Sequence, residues 1–485
     1  MKPRLVSHVL AAVLSITSAG AAQSRDTVVS TRADAREVSL TIYNGGFSLV
    51  RERRELPLTA GRNHVRWEDV AQRIEPATLG FRSITAPGTV AVREQNYQYD
   101  LVSANSILDK TVGHAVRLNR GGGERIEGTL ISSPSTGHGM VIRTADGRLL
   151  LNPHGEVEVP VLPPGLISRP SLLWLLDADR AGRQAVEVSY LTGGITWSAD
   201  YVAVVDASEG RVDLTGWVTL ANQSGAAYSA AQLQLMAGNV RTVTDWNRRA
   251  LGDRAIALEG LVASAGSAQR QFAEEAFFEY HLYTLDGRTT IAQNETKQMT
   301  LLSAQGAAVT RRLVFDSRRA WGWWGHQTAG VPSRTDPVKA AIVLELENRQ
   351  SNGMGMPLPA GVIRLYKADG RGNQQFLGED RIGHTPRDEV VRLVVGEAFD
   401  VVGTRRVVVD RLISDREREI TQEISIRNHK ETASDVLVAE NFGNEWRILE
   451  STHRHERKDA GTAHFNLRVP ANTEVKVTYT VRIWW

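Results

Sequence analysis

Apolar and polar side chains alternate over residues 38–42, Asn44-Gly45-Gly46 interrupts them, and the alternation resumes through Phe47, Leu49 and Val50. A period of two puts one side of an extended chain in a core and the other in water, so this stretch predicts a β-hairpin. Strands are also predicted over 64–67, after the Ala60-Gly61-Arg62-Asn63 turn, and over 89–93. Together they define a small N-terminal antiparallel β domain within residues 23–103.

Residues 104–165 are denser in turns. Short extended runs are predicted at 115–118, 125–131, 140–144, 148–152 and 157–159. Asp146-Gly147 lies between two of them, where a tight hairpin needs the positive φ that glycine adopts cheaply. Five short strands suit a small barrel of the SH3 type, with Leu162-Pro163-Pro164-Gly165 as its exit linker.

Beyond residue 166 an alternating run three times stops at asparagine: 217–221 before Asn222, 342–347 before Asn348, and 424–427 before Asn428. Strands that end where an asparagine side chain can bond local backbone suit a β-sandwich over residues 166–485, with loops inserted near 246–280 and 316–337. Val475, Val477, Tyr479, Val481, Ile483 and Trp485 alternate up to the last residue. That pattern is shared by the closing strand of an outer-membrane barrel, but such barrels repeat it in nearly every strand, so a last sandwich strand is expected.

The N-terminus changes the picture of compartment. Basic Met1-Lys2-Pro3-Arg4 precedes an apolar run from Leu5 to Ile16 and small residues up to Ala21 and Ala22, the layout of a secretory signal peptide over residues 1–22. Cleavage after Ala21 or Ala22 sends the protein to the periplasm or the extracellular space. The chain carries 57 basic and 55 acidic residues, and loss of Lys2 and Arg4 with the signal leaves a formally neutral protein. Electrostatic capture of nucleic acid needs a clustered basic excess, so no nucleic-acid partner is expected. There is no cysteine, hence no disulfide and no thiol nucleophile, and no later apolar stretch long enough to be a transmembrane helix. A chain of 485 residues exceeds what one core supports, which predicts an all-β, multidomain protein.

Several longer segments resemble one family. Glu94-Gln95-Asn96-Tyr97-Gln98-Tyr99-Asp100-Leu101-Val102, the run from Tyr190 through Gly193-Gly194-Ile195-Thr196-Trp197 to Tyr201, the run from Leu214 to Asn222, Leu358-Pro359-Ala360-Gly361 through Tyr366, and Asp380-Arg381-Ile382-Gly383-His384-Thr385-Pro386-Arg387-Asp388-Glu389 followed by Ala398 to Val402 are similar to the bacterial domain-of-unknown-function family numbered 4139. The resemblance implies an exported β-rich protein and carries over no catalytic residue. Distant relatives named as mucoidy inhibitors point toward envelope polysaccharide.

Local signatures for a zinc helix, a phosphate loop, a nucleophile elbow or a dinucleotide turn are absent. The densest candidate chemistry is His384 with Asp388 and Glu389 around a proline turn, joined by Asp400: an imidazole base or ligand with carboxylates to orient it. The structural alternative is that His384 and Thr385 bond backbone in a strand connection and the acids are solvated. His453, His455 and His464 are candidate metal ligands if one hairpin brings them together, against the simpler reading of exposed histidines. Trp321, Trp323 and Trp324, among glycines, are candidates for stacking on sugar or entering a protein interface, or else for covering the sandwich edge. No cofactor is expected. The sequence thus points to a non-enzymatic envelope component that binds or scaffolds, contacting polysaccharide or another envelope protein, with a hydrolase of an envelope polymer built on His384 as the alternative.

Overall fold

The computed structural model describes residues 27–137, 139–243, 271–316, 334–443 and 445–485. Strands account for about 65% of the structure and helix for about 5%, in several sheets that close no barrel among the described residues, so the protein is an all-β, multidomain sandwich fold. Residues 1–22, where a signal peptide is expected, lie outside the described residues. No described helix is long and apolar enough to cross a membrane.

The chain forms two compact units, each assembled from separated stretches. One takes residues up to 36, 53–70 and 81–188; the other takes 37–52, 71–80 and 189–485.

Two sheets lie wholly within the first unit. A four-stranded sheet runs in the order Val28–Ser30, Gly61–Glu68, Ser171–Ala178, Val90–Gln98. Alternation in Ser171–Ala178 buries Leu172, Trp174 and Leu176 beside Val65 and Trp67, with the two indoles edge to face at 5.9 Å. Arg54 is fully buried there: its guanidinium lies 4.1 Å from the Trp67 ring centre and donates to the Ser30 and Glu68 carbonyls at 2.8 and 2.9 Å. A buried cation is tolerated because backbone oxygens and a ring face replace its water.

The second sheet orders its five strands Leu149–Leu151, Val141–Thr144, Arg125–Ser132, Ala115–Asn119, Glu156–Glu158. Each strand falls where turn chemistry predicted one, and Gly147 has φ 89° at the Asp146-Gly147 turn. Its core is Val116, Leu118, Leu130 and Ile142, with Leu108 of the helix Ala104–Thr111 packed against it. Ser103 caps that helix by accepting the Ser106 N–H at 3.0 Å.

In the second unit a long sheet runs Gln374–Ile382, Gly361–Ala368, Ile195–Val205, Arg211–Asn222, Glu295–Asp316, Arg334–Glu347, Val390–Ser414, Glu417–Asn428, Thr473–Trp484, Glu445–Ser451. Thr473–Trp484 is therefore an inner strand of an open sheet. Ser434–Asn441 and Thr462–Val469 pair with each other and share a core with Ile420, Ile424, Val477 and Tyr479. A further sheet of the unit pairs Phe272–Phe277 with Tyr280–Leu285, the latter with Tyr228–Ala237, and residues 232–236 of that strand parallel to 39–43.

The three strand-ending asparagines are built alike. Asn222, Asn348 and Asn428 are fully buried. Asn222 Nδ2 donates to the Ala226 and Ala292 carbonyls and its Oδ1 accepts from Ser224 N–H. Asn348 donates to Met356 and Pro386 and accepts from Gly355. Asn428 donates to Thr432, Val469 and Pro470 and accepts from Lys430. Each amide ties its own strand end to the start of another strand, and each of those starts follows a residue in the left-handed region: Asn294 (φ 59°), Asp388 (φ 64°) and Asn472 (φ 52°).

Candidate functional site

The segments Tyr190–Tyr201, Leu358–Tyr366 and Asp380–Glu389 meet in the second unit. Strand Gly361–Ala368 lies parallel to Ile195–Val205 with Gly361 opposite Ala199, and a Cβ at Gly361 would run into the Ala199 carbonyl oxygen, so this approach requires glycine. The loop before it is held by two buried phenols: Tyr201 OH donates to the Pro359 carbonyl at 2.8 Å and Tyr283 OH to the Pro357 carbonyl at 2.9 Å. Burial, ahead of nearby negative groups, pushes both phenols well above their ordinary pKa, so both stay protonated donors.

His384 sits against this loop. Leu358 and Thr385 exchange backbone hydrogen bonds at 2.8 and 2.9 Å, and the Ala360 N–H donates to His384 Nδ1 at 3.2 Å. With Nδ1 accepting, the neutral ring carries its proton on Nε2. Burial, and then the charge of nearby His281, holds the His384 pKa below the usual histidine value. His281 bonds the Glu274 carboxylate through Nδ1 at 2.7 Å. Both belong to the hairpin Phe272–Phe277/Tyr280–Leu285, which begins inside a window predicted to be inserted loop.

The other predicted residues are placed as follows. Asp388 takes the left-handed turn position, its N–H bonding the Asn348 carbonyl, and the Glu389 carbonyl accepts the Asn348 N–H. The Asp400 carbonyl accepts the His429 N–H. No hydrogen bond joins His384 to the carboxylates of Asp388, Glu389 or Asp400. Neighbouring Asp380 bonds the Val394 N–H at 2.7 Å, fixing the start of the next strand. His453 Nδ1 contacts Thr452 Oγ1 at 3.0 Å, the His455 ring lies 6.0 Å from that of Phe465, and His464 lies opposite Glu456 across a strand pair. Among the described residues no three His, Asp or Glu side chains are grouped to hold a metal ion. Trp321, Trp323 and Trp324 lie outside the described residues.

Sequence reasoning missed His281 and Glu274. The signal available was the close spacing of Glu274, Tyr280 and His281: the hairpin register sets Glu274 opposite Tyr283 and His281 opposite Ala276, so the two side chains meet diagonally on one face.

Residues 186–485, most of the chain and all of this site, match the family described as Domain of unknown function (DUF4139). The chain belongs to that family. The DUF4139 match takes in Tyr201, Gly361, His384 and the three buried asparagines, whereas the similar segment Glu94–Val102 lies before it. Comparison with curated proteins finds no match.

A different kind of surface lies in the first unit. A cavity of about 520 Å³ is lined by Lys110, His114 and the run Val159-Pro160-Val161-Leu162-Pro163-Pro164. Val161 and Leu162 are 76% and 57% exposed, and Lys110 is ion-paired with Asp100 at 2.7 Å.

Proposed function

We propose that the protein is an exported, non-enzymatic binding or scaffolding component of the cell envelope, periplasmic or extracellular, that contacts an envelope protein or polysaccharide. The observation that carries this reading is the apolar cavity beside exposed Val161 and Leu162. Aliphatic and prolyl walls remove an inserted apolar side chain from water and offer few partners to sugar hydroxyls, which favours a protein ligand over a glycan. The test is a photo-crosslinking residue at Val161 in cells producing the full chain. An envelope-protein adduct that is lost in Leu162→Asp supports the reading; a thermal shift with envelope polysaccharide and no adduct moves it to the glycan; neither result rejects binding at this surface.

The second reading, a hydrolase acting on an envelope polymer, is favoured by the His281–Glu274 contact beside His384, an imidazole oriented by a carboxylate. Turnover of an envelope polymer that disappears in His281→Ala without loss of thermal stability would establish it.

A further inference from the structure

The hairpin that carries His281 breaks the turn rule at its tip. Phe277 pairs with Tyr280, which leaves Phe278 and Glu279 as a two-residue loop. Loops of this length need a positive φ at the first position and select glycine or asparagine there. Here the position is a phenylalanine with φ 57°. A bulky side chain in the left-handed region strains the backbone, and burial does not offset the strain, because Phe278 is 86% and Phe277 54% exposed. Among the described residues the ring's aromatic neighbour is Tyr280, 6.4 Å away between centres. Folding is therefore served worse by Phe278 than by glycine.

The rest of the hairpin is firmly made. Six residue pairs join its strands, from Phe272 with Leu285 to Phe277 with Tyr280, and the Glu274–His281 contact crosses them. Around the tip Glu275 and Glu279 are exposed. A rigid stem thus presents two water-exposed phenyl rings inside an acidic collar.

We propose that Phe277 and Phe278 form an aromatic anchor that inserts into an apolar pocket with a basic rim on a partner protein. Strain retained at an exposed aromatic is the mark of a contact selected for binding, and adjacent rings with few rotatable bonds supply apolar area at small entropic cost. The acidic collar selects the partner's charge and disfavours an anionic lipid surface. This surface belongs to the second unit and shares no residue with the Leu162 cavity of the first, so failure at one leaves the other standing.

The experiment joins a stability readout to a contact readout on the full mature chain. Phe278→Gly is expected to raise Tm by about 1–2 °C, because glycine removes the turn strain. A benzoylphenylalanine at Ala276 is expected to give a discrete protein adduct in cells that is lost in Phe278→Gly and weakened in the Glu275→Lys/Glu279→Lys variant. A fall in Tm in Phe278→Gly overturns the proposal, since the ring would then serve packing. So does an adduct indifferent to Phe278, or no adduct at all. Flotation with phosphatidylethanolamine–phosphatidylglycerol vesicles that depends on Phe278 overturns it in favour of a lipid surface.

Discussion

The C-terminal sandwich and the five-stranded sheet handle their interiors in opposite ways. Among the described residues the sandwich core gathers eighteen buried residues and includes Trp446, Phe465 and Tyr479, and the core of the five-stranded sheet has four. With its larger core the sandwich tolerates buried polar groups: Arg405 Nε and Nη2 donate to Glu440 Oε2 at 3.2 and 2.9 Å, and Tyr479 OH donates to the same oxygen at 2.7 Å. Burial works against the Arg405 charge, but Glu440 and Tyr479 outweigh it and hold the guanidinium ionised. The small sheet buries little polar chemistry of this kind and leaves Leu149, Leu151, Val161 and Leu162 in water. A large core can carry costly polar fixtures that pin strand ends and register, which a small core has too little buried apolar area to offset; exposed apolar residues occur in both, Phe399 and Leu412 among those of the sandwich.

Removing one member of the buried triad is the strongest way to break this contrast. Glu440→Ala strands the Arg405 cation and is expected to cost about 3–5 kcal/mol in urea unfolding. Loss of hydrogen-exchange protection should be concentrated in strands Val390–Ser414, Ser434–Asn441 and Thr473–Trp484, and unchanged protection there would show that the triad is dispensable. Leu130→Ala removes one of four core residues from the small sheet and is expected to cost about 2–4 kcal/mol. Exchange should then rise across residues 115–158 and stay unchanged across 417–484. A uniform rise over both would mean that the two cores do not act as separate stability units.

The smallest effect sharpens the site itself. The His384 pKa is depressed in the folded chain, so below the ordinary value of 6.5 the unfolded chain binds the proton more readily. Stability is full above that value and falls as the pH drops through the folded pKa. His464 is depressed as well, by burial and then by Lys458. His384→Asn is therefore expected to shrink, by about 1 °C, the Tm loss between pH 7.5 and pH 5, and His464 acts in the same direction. An unaltered pH slope would place the His384 titration elsewhere.

Much of the fold was legible because it is local. Asp146-Gly147 marked a hairpin, and the alternating runs ending at Asn222, Asn348 and Asn428 marked three strand ends whose amides do bond the turns that follow. Other features were hidden for definite reasons. Strand Val390–Ser414 runs for 25 residues through Gly396 and Gly403, although glycine ordinarily weakens a strand. At Gly403 a side chain would collide with the Phe315 ring, so that glycine serves close packing. Asp388 looked like a carboxylate beside an imidazole and instead fills a left-handed turn position, a backbone role that leaves no trace in charge spacing.

The sequence by itself determined the β class, the turn positions and the strand ends, because period-two alternation and the preferences of glycine and asparagine act within a few residues. Only the tertiary structure decided that His281, bonded to Glu274, comes near His384, that Thr41 Oγ1 meets Gln234 Oε1 across 193 residues, and that the loop at Leu358–Gly361 hangs from Tyr201 and Tyr283. Those contacts depend on which strands become neighbours and in which register, and a one-residue slip would turn each of these side chains to the opposite face. That choice belongs to the packed sheets as a whole.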